Sequence, residues 1–108
     1  MTEHVKVLQH HIEEGICMDA HLCMVAKALQ EHFPAATHVS VSFSEAVVYF
    51  ADNIYGEKWH YTDWRLVGCK MMNFDRANKV RPFEFDMERG GAHLLHAIAA
   101  LAEPADEG

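Results

Sequence analysis

The spacing of the apolar residues changes at Pro34, and this change constrains the fold more than any other feature of the chain. Before Pro34, apolar residues recur at the helical interval of about 3.6, at Leu22, Val25, Ala26, Leu29 and Phe33. After it they recur at every second position, at Val39, Val41 and Phe43, with His38, Ser40 and Ser42 between them. The chain is therefore predicted to combine helices with at least one strand that is solvated on one face.

Three helices are predicted. The first begins with Thr2 as its N-cap and ends at Gly15, and its apolar face carries Val5, Leu8 and Ile12. The second is expected to begin at Asp19, a favourable N-cap residue, and to end before Pro34. The third covers residues 92–102, where Leu94, Leu95, Ile98 and Leu101 form an apolar stripe.

The strands are expected between the second and third helices. Residues 46–51 are evenly apolar, residues 58–64 are rich in aromatic side chains, and residues 80–87 alternate between apolar and charged. Residues 65–72 are expected to extend the aromatic strand or to pair with it. The order α-α-β-β-β-β-α predicts an α+β fold: a mostly antiparallel sheet of four or five strands, with two N-terminal helices and one C-terminal helix packed on it. Residues 1–103 are expected to form one domain and residues 104–108 a short polar tail.

Charge and hydropathy exclude several classes of function. The 108 residues include 16 acidic and 9 basic side chains, for a net charge of −7, so the long-range field repels phosphate and direct nucleic-acid binding is not expected. No apolar run approaches the roughly 18–20 residues of a membrane span, and the N-terminus has no signal-peptide pattern. The chain is therefore expected to be cytoplasmic, with its three cysteines reduced.

Nine histidines raise the question of a metal site. On one continuous helix, His10, Glu14, Cys17 and His21 would share a face, but Gly15 and Asp19 predict a break inside that stripe. His93 and His96 form a second pair at helical spacing. Neither a His-Glu-x-x-His motif nor a Cys-x-x-Cys pair is present, so neither a metal nor another cofactor is expected.

Two weaker signals concern reactive groups. Cys17 would lie near the start of the second helix, where the helix dipole favours a thiolate. Arg89, Gly90 and Gly91 precede the third helix, where free backbone N–H groups bind anions in some proteins. Buried cysteines and a flexible turn explain these features without any ligand, so no catalytic residue is assigned.

The strand over residues 80–87 and its continuation carry Glu84, Asp86 and Glu88 on one face. Alternate residues of a strand stand about 6.6–6.8 Å apart, so the carboxylates form a regular row of negative charge. Such a row is suited to an arginine-rich surface, or it imitates a phosphate backbone. An ordinary solvated sheet face would have the same pattern.

The aromatic strand supplies the other candidate contact residues, which are Trp59, Tyr61, Trp64 and Arg65. Alternation sets Trp59 and Tyr61 on one face and Trp64 on the other. One face is expected to be core, and the other is expected to meet a partner or a second copy of the chain.

These patterns favour a small, acidic, non-enzymatic module that binds a larger protein through a basic surface. Phage and mobile-element inhibitors, including anti-CRISPR proteins and nucleic-acid mimics, share this size and charge. The alternatives are a small metal-binding or cysteine/histidine enzyme, and a homodimer formed by pairing of strand edges.

Overall fold

A computed structural model describes residues 1–90, and the helix predicted for residues 92–102 lies outside these residues. The elements are β1 (Thr2–Val7), α1 (Gln9–Glu14), α2 (Met24–His32), β2 (Ala36–Val41), β3 (Glu45–Phe50), β4 (Asn53–Tyr61), α3 (Trp64–Asp75) and β5 (Phe83–Arg89). The five strands form one antiparallel sheet in the order β1-β5-β4-β3-β2. The α+β class and the antiparallel sheet are as predicted from the sequence, whereas the order of the elements is not.

The predicted first helix is wrong over its first half. Thr2–Val7 is a strand that pairs with β5, and the helix that follows covers Gln9–Glu14 alone. Val5 and Val7 are fully buried while His4 and Lys6 are exposed, so these residues follow the period of a strand. The matching alternation in β5 buries Phe85 and Met87 against them, and this tertiary pairing outweighs the helical spacing of Val5 and Leu8.

The second helix begins later than predicted. The Asp19 carboxylate accepts hydrogen bonds from the backbone N–H groups of His21 and Leu22, which forms a turn, and α2 begins at Met24. Gly15 allows this loop to lie against α2, because a Cβ at that position would stand 2.6 Å from the backbone nitrogen of Met24.

Residues 65–72, predicted to be strand, belong to α3 instead. Asp63 is the N-cap residue of this helix, and its carboxylate accepts a hydrogen bond from the Leu66 N–H. Val67, Met71 and Phe74 follow at helical spacing and are buried. The helix separates β4 from β5 in sequence, although the two strands are neighbours in the sheet.

The core lies between the sheet and α2. This helix contacts both edge strands, β1 and β2, so the sheet curls around it. The opposite face of the sheet carries exposed and half-buried residues in alternation with the core residues. No helix within residues 1–90 is both long enough and apolar enough to cross a membrane.

Two aromatic residues of β4 are central to this core. Trp59 and Tyr61 are 1% and 0% exposed, and the Tyr61 ring packs edge-on against Phe85 with 5.3 Å between centroids. The Tyr61 hydroxyl has no hydrogen-bond partner among residues 1–90, and burial raises its pKa above the ordinary value.

We expect Tyr61→Phe to raise the free energy of unfolding by about 1 kcal/mol, because a buried hydroxyl without a partner costs more than it contributes. Urea denaturation of the two proteins measures the difference. A lower stability of the phenylalanine variant would contradict this expectation.

Candidate functional site

The three carboxylates of the predicted row are exposed on β5, on the sheet face opposite the helices. His4 of β1 lies across two of them: its Nδ1 is 2.6 Å from Asp86 Oδ1, and its Nε2 is 2.9 Å from Glu84 Oε1. A neutral imidazole has one N–H, but here both ring nitrogens face groups that only accept hydrogen bonds. The arrangement therefore favours the imidazolium, and the hydrogen bonds to Asp86 and then Glu84 raise the pKa of His4.

The row is consequently less negative than its sequence indicates. Protonated His4 offsets part of the charge of Glu84 and Asp86. Lys58 on the same face forms a 3.8 Å ion pair with Glu45. The open face of the sheet thus carries compensated charges instead of one uniform acidic patch.

The predicted aromatic set divides between the core and the surface. Trp59 and Tyr61 are buried and do not face a partner, whereas Trp64 is 46% exposed at the start of α3. The Arg65 guanidinium lies over the Trp64 ring, 5.3 Å from its centroid. Of the four aromatic-segment residues proposed to bind a partner, Trp64 and Arg65 are therefore accessible.

Trp64 and Arg65 belong to a surface that we call the apolar corner, where α3 meets the turn between β2 and β3. A depression of about 320 Å³ lies there, and apart from Arg65 its lining is apolar or glycine. Phe43 and Met72, which flank Trp64, are 48% and 43% exposed. The lining consists of Phe43, Trp64, Arg65, Gly68, Cys69 and Met72.

Local sequence explains how the corner forms. Ser42 and Glu45 close the β2–β3 turn through hydrogen bonds from Ser42 N–H to the Glu45 carbonyl and from Glu45 N–H to Ser42 Oγ. This turn carries Phe43 outward, over α3. Gly68 permits the contact, since a Cβ there would stand 3.3 Å from the Phe43 carbonyl oxygen.

Phe43 also lines a second depression, of about 290 Å³, on which Met18 borders. Met18 is 82% exposed and has a φ of 60°, in the left-handed region that a side chain disfavours. Its N–H donates to Asp75 Oδ1 over 2.8 Å, which holds the strained residue in place. Met18 thus extends the exposed apolar surface beside the apolar corner.

A different cluster supplies candidate metal ligands. One ring nitrogen each from His10 and His11 and a carboxylate oxygen of Glu31 lie within 4.8 Å of one another. Both Nε2 atoms contact the same oxygen, Glu31 Oε2, at 2.8 and 3.0 Å. This cluster differs from the helical stripe of possible ligands that the sequence suggested. His10 is the one residue of that stripe that belongs to the cluster.

The hydrogen bonds of His11 argue against a metal ion at this cluster. Its Nδ1 accepts the backbone N–H of Leu8 over 2.9 Å, so the neutral ring carries its proton on Nε2 and donates it to Glu31. A histidine that binds a metal through Nε2 instead donates Nδ1–H to an acceptor. The ring is 3% exposed and acts as part of the cap of α1.

The histidine–carboxylate pairs make stability depend on pH. The pKa of His10 is raised, chiefly by its hydrogen bond to Glu31, and the pKa of Glu31 is lowered by His10 and then His11. A histidine whose pKa is raised in the folded protein contributes its full stabilisation below the unfolded pKa of 6.5. For His4 and His10 this stabilisation is lost as the pH rises through their pKa values in the folded protein. The contribution of Glu31 is complete above its unfolded pKa of 4.5 and is lost as the pH falls through the lowered folded value.

We therefore expect these pairs to stabilise the fold most between pH 4.5 and 6.5, with a decline as the pH rises above 6.5. Urea denaturation across this range measures the decline. The double variant His4→Gln/His10→Gln should decline less steeply on the alkaline side. If the unfolding free energy declined equally steeply with pH in the two proteins, the pH dependence would not come from His4 and His10.

The other reactive groups proposed from the sequence have ordinary structural explanations. Cys17 lies well before the first residue of α2, and its thiol contacts the Phe74 carbonyl at 3.0 Å. Cys23 is the N-cap residue instead, and burial raises its pKa, so the thiolate is disfavoured there. Arg89 pairs with Glu57 at 3.3 Å, and the Gly90 N–H donates to the Lys58 carbonyl.

Comparison of the chain with protein-family models, with curated proteins and with solved structures finds no significant match in any of the three.

Proposed function

We propose that this chain is a protein-binding module that contacts its partner through the apolar corner. The observation that carries the proposal is the exposure of Phe43, Trp64 and Met72 around one depression, since a contiguous group of exposed apolar side chains is typical of an interaction site. Tryptophan and arginine, which stand side by side here, are the residue types that dominate binding energy at interfaces.

The partner that fits this surface presents one large apolar side chain and a neighbouring carboxylate. The apolar side chain fills the depression between Phe43, Trp64 and Met72. The carboxylate pairs with Arg65, for which no ion pair is recorded within residues 1–90, and whose guanidinium is held on the Trp64 ring before binding. Fixing the guanidinium in advance lowers the entropy cost of the pair.

Capture from a lysate of the source cell tests this proposal when matched surface variants are compared. The double variant Phe43→Ser/Met72→Ser should lose the captured partner. Tyr55→Ser, which removes an aromatic residue that is 85% exposed outside the apolar corner, should retain it. A partner that both variants retain equally would refute the proposal.

The same capture separates the apolar corner from the carboxylate row. Glu84, Asp86 and Glu88 are exposed, so docking of a basic surface on them is the alternative. That alternative requires binding to weaken steeply with added salt and to fail when the three residues become Gln, Asn and Gln. Binding through the apolar corner should depend only weakly on salt, because one exposed ion pair contributes little of its energy.

A further inference from the structure

The two edges of the sheet differ in how their backbone groups are satisfied. On β2, the Val41 N–H donates to the Ala20 carbonyl at 2.9 Å, and the Val39 carbonyl accepts from His21 Nδ1 at 2.8 Å. The Ala36 carbonyl accepts from Gln30 Nε2 at 2.6 Å. Side chains and the preceding loop thus close this edge to a further strand.

The register of β1 and β5 shows which groups of β1 point outward. Thr2 lies opposite Glu88, so Met1 lies opposite Arg89, and the Arg89 N–H donates to the Met1 carbonyl at 3.0 Å. Hydrogen-bonded and non-bonded pairs alternate along antiparallel strands, so Glu3, Val5 and Val7 bond to β5. The outward residues are Thr2, His4 and Lys6.

The next residue of the outward series confirms this assignment and marks the end of the edge. The Leu8 N–H is directed away from β5 and donates to His11 Nδ1. No hydrogen-bond partner is recorded within residues 1–90 for the backbone groups of Thr2, His4 and Lys6. Within the described residues 1–90, the edge of β1 is therefore open at three consecutive outward residues, and His11 caps it beyond them.

A groove runs beside this open edge. It has a volume of about 250 Å³, and α2 forms its other wall through Ala28, Glu31 and His32. His4 and Lys6 line the strand side. A groove between an edge strand and a helix is the setting in which extended peptides add to a sheet.

We propose that β1 accepts an extended segment of another protein as a sixth strand, with an acidic side chain opposite Lys6. Lys6 lies opposite Glu84 in the register of β1 and β5, but the Glu84 carboxylate contacts His4, and no ion pair of Lys6 is recorded within residues 1–90. A carboxylate on the added strand, on the other side of Lys6, would therefore complement it. The backbone groups of Thr2, His4 and Lys6 supply hydrogen bonds that do not depend on the partner's sequence.

The charges of β1 disfavour a second copy of this chain as the added strand. An antiparallel copy centred on His4 sets His4 against His4, and one centred on Val5 sets His4 against Lys6. The hydrogen bonds that His4 donates to Glu84 and Asp86 favour its cationic form, and like charges directly opposite each other destabilise a strand pair. The proposal concerns a surface separate from the apolar corner and does not rest on the function proposed above.

A displayed library of random peptides, each long enough for a strand of about 5–6 residues, tests the proposal. We expect selected peptides to alternate β-branched residues and to carry Asp or Glu. Lys6→Pro removes one outward N–H, which edge strands tolerate, and should raise the Kd at least about tenfold. Lys6→Glu keeps the backbone intact and should also weaken binding, while Lys79→Glu, the same charge change in an exposed loop, should not.

Hydrogen exchange of the peptide complex provides the second readout, with protection expected at the amides of Thr2, His4 and Lys6. Near-ultraviolet circular dichroism shows whether each variant is folded. If Lys6→Pro does not fold, the binding of Lys6→Glu tests the proposal. The proposal would be overturned if no peptides were selected, or if the folded Lys6 variants bound the peptides as tightly as the unmodified chain. Loss of peptide binding on Trp64→Ala would also overturn it. A dimer of the unmodified chain that Lys6→Glu dissociates would also overturn it, in favour of self-pairing.

Discussion

Trp64→Ala is expected to weaken binding of the captured partner by about 30-fold or more, which corresponds to the 2 kcal/mol or more of an interface hot spot. The indole forms one wall of the depression and supports the Arg65 guanidinium from 5.3 Å. Truncation therefore removes both the apolar contact and the support for the partner's carboxylate. Isothermal titration of the purified partner measures the loss.

Two controls separate binding from folding in this experiment. Trp64→Phe keeps an aromatic wall and should recover part of the affinity. The melting temperature of Trp64→Ala should stay close to that of the parent, because a residue that is 46% exposed contributes little to the core. Unchanged affinity in a folded Trp64→Ala protein would show that the partner binds elsewhere.

Trp59→Ala, the same substitution at the other tryptophan, is expected to lower the free energy of unfolding by about 3–5 kcal/mol. Trp59 is 1% exposed and packs against Phe33, with ring centroids 5.6 Å apart. Its removal leaves a cavity that the surrounding sheet and α2 cannot fill, and a domain of this size is stable by about 5–15 kcal/mol in total. Urea denaturation measures the change.

The matched control is Trp64→Ala, for which the change in unfolding free energy should be small. If Trp59→Ala remains folded at low temperature, it should still bind the partner, because Trp59 does not contribute to the apolar corner. Equal destabilisation by the two substitutions would contradict the division of the tryptophans between core and surface.

That division shows how far the sequence alone allows prediction. Alternation along residues 58–64 sets Trp59 and Tyr61 on one face of a strand, and both are in the core. It sets Trp64 on the other face, but β4 ends at Tyr61 and Trp64 begins α3, so the exposure of Trp64 has a different cause. The pattern could not decide which face was buried, because that depends on α2 packing against the sheet. Nor did it show that the segment after Trp64 is helical, although Asp63 is a favourable N-cap residue and Val67, Met71 and Phe74 follow at helical spacing.

The rest of the surface depends on contacts between residues distant in sequence. Phe43 continues the alternation of Val39 and Val41, which sets it on the same face of a strand, but β2 ends at Val41 and the turn carries Phe43 onto α3. The row of carboxylates is on an exposed strand face as predicted. The contacts of His4 with two of these carboxylates arise because Thr2–Val7 is a strand next to β5, whereas the helical spacing of Val5 and Leu8 predicted a helix there.

The most direct test of binding through the apolar corner is the fluorine NMR spectrum of protein labelled with 5-fluorotryptophan, recorded as the purified partner is added. The chain has two tryptophans, so two resonances are expected, and Trp64→Phe assigns them. Saturation with partner should shift the Trp64 resonance and remove its sensitivity to solvent isotope exchange, while the buried Trp59 resonance changes little. A Trp64 resonance that stays at its original position and remains solvent-sensitive in the saturated complex would contradict the proposed function.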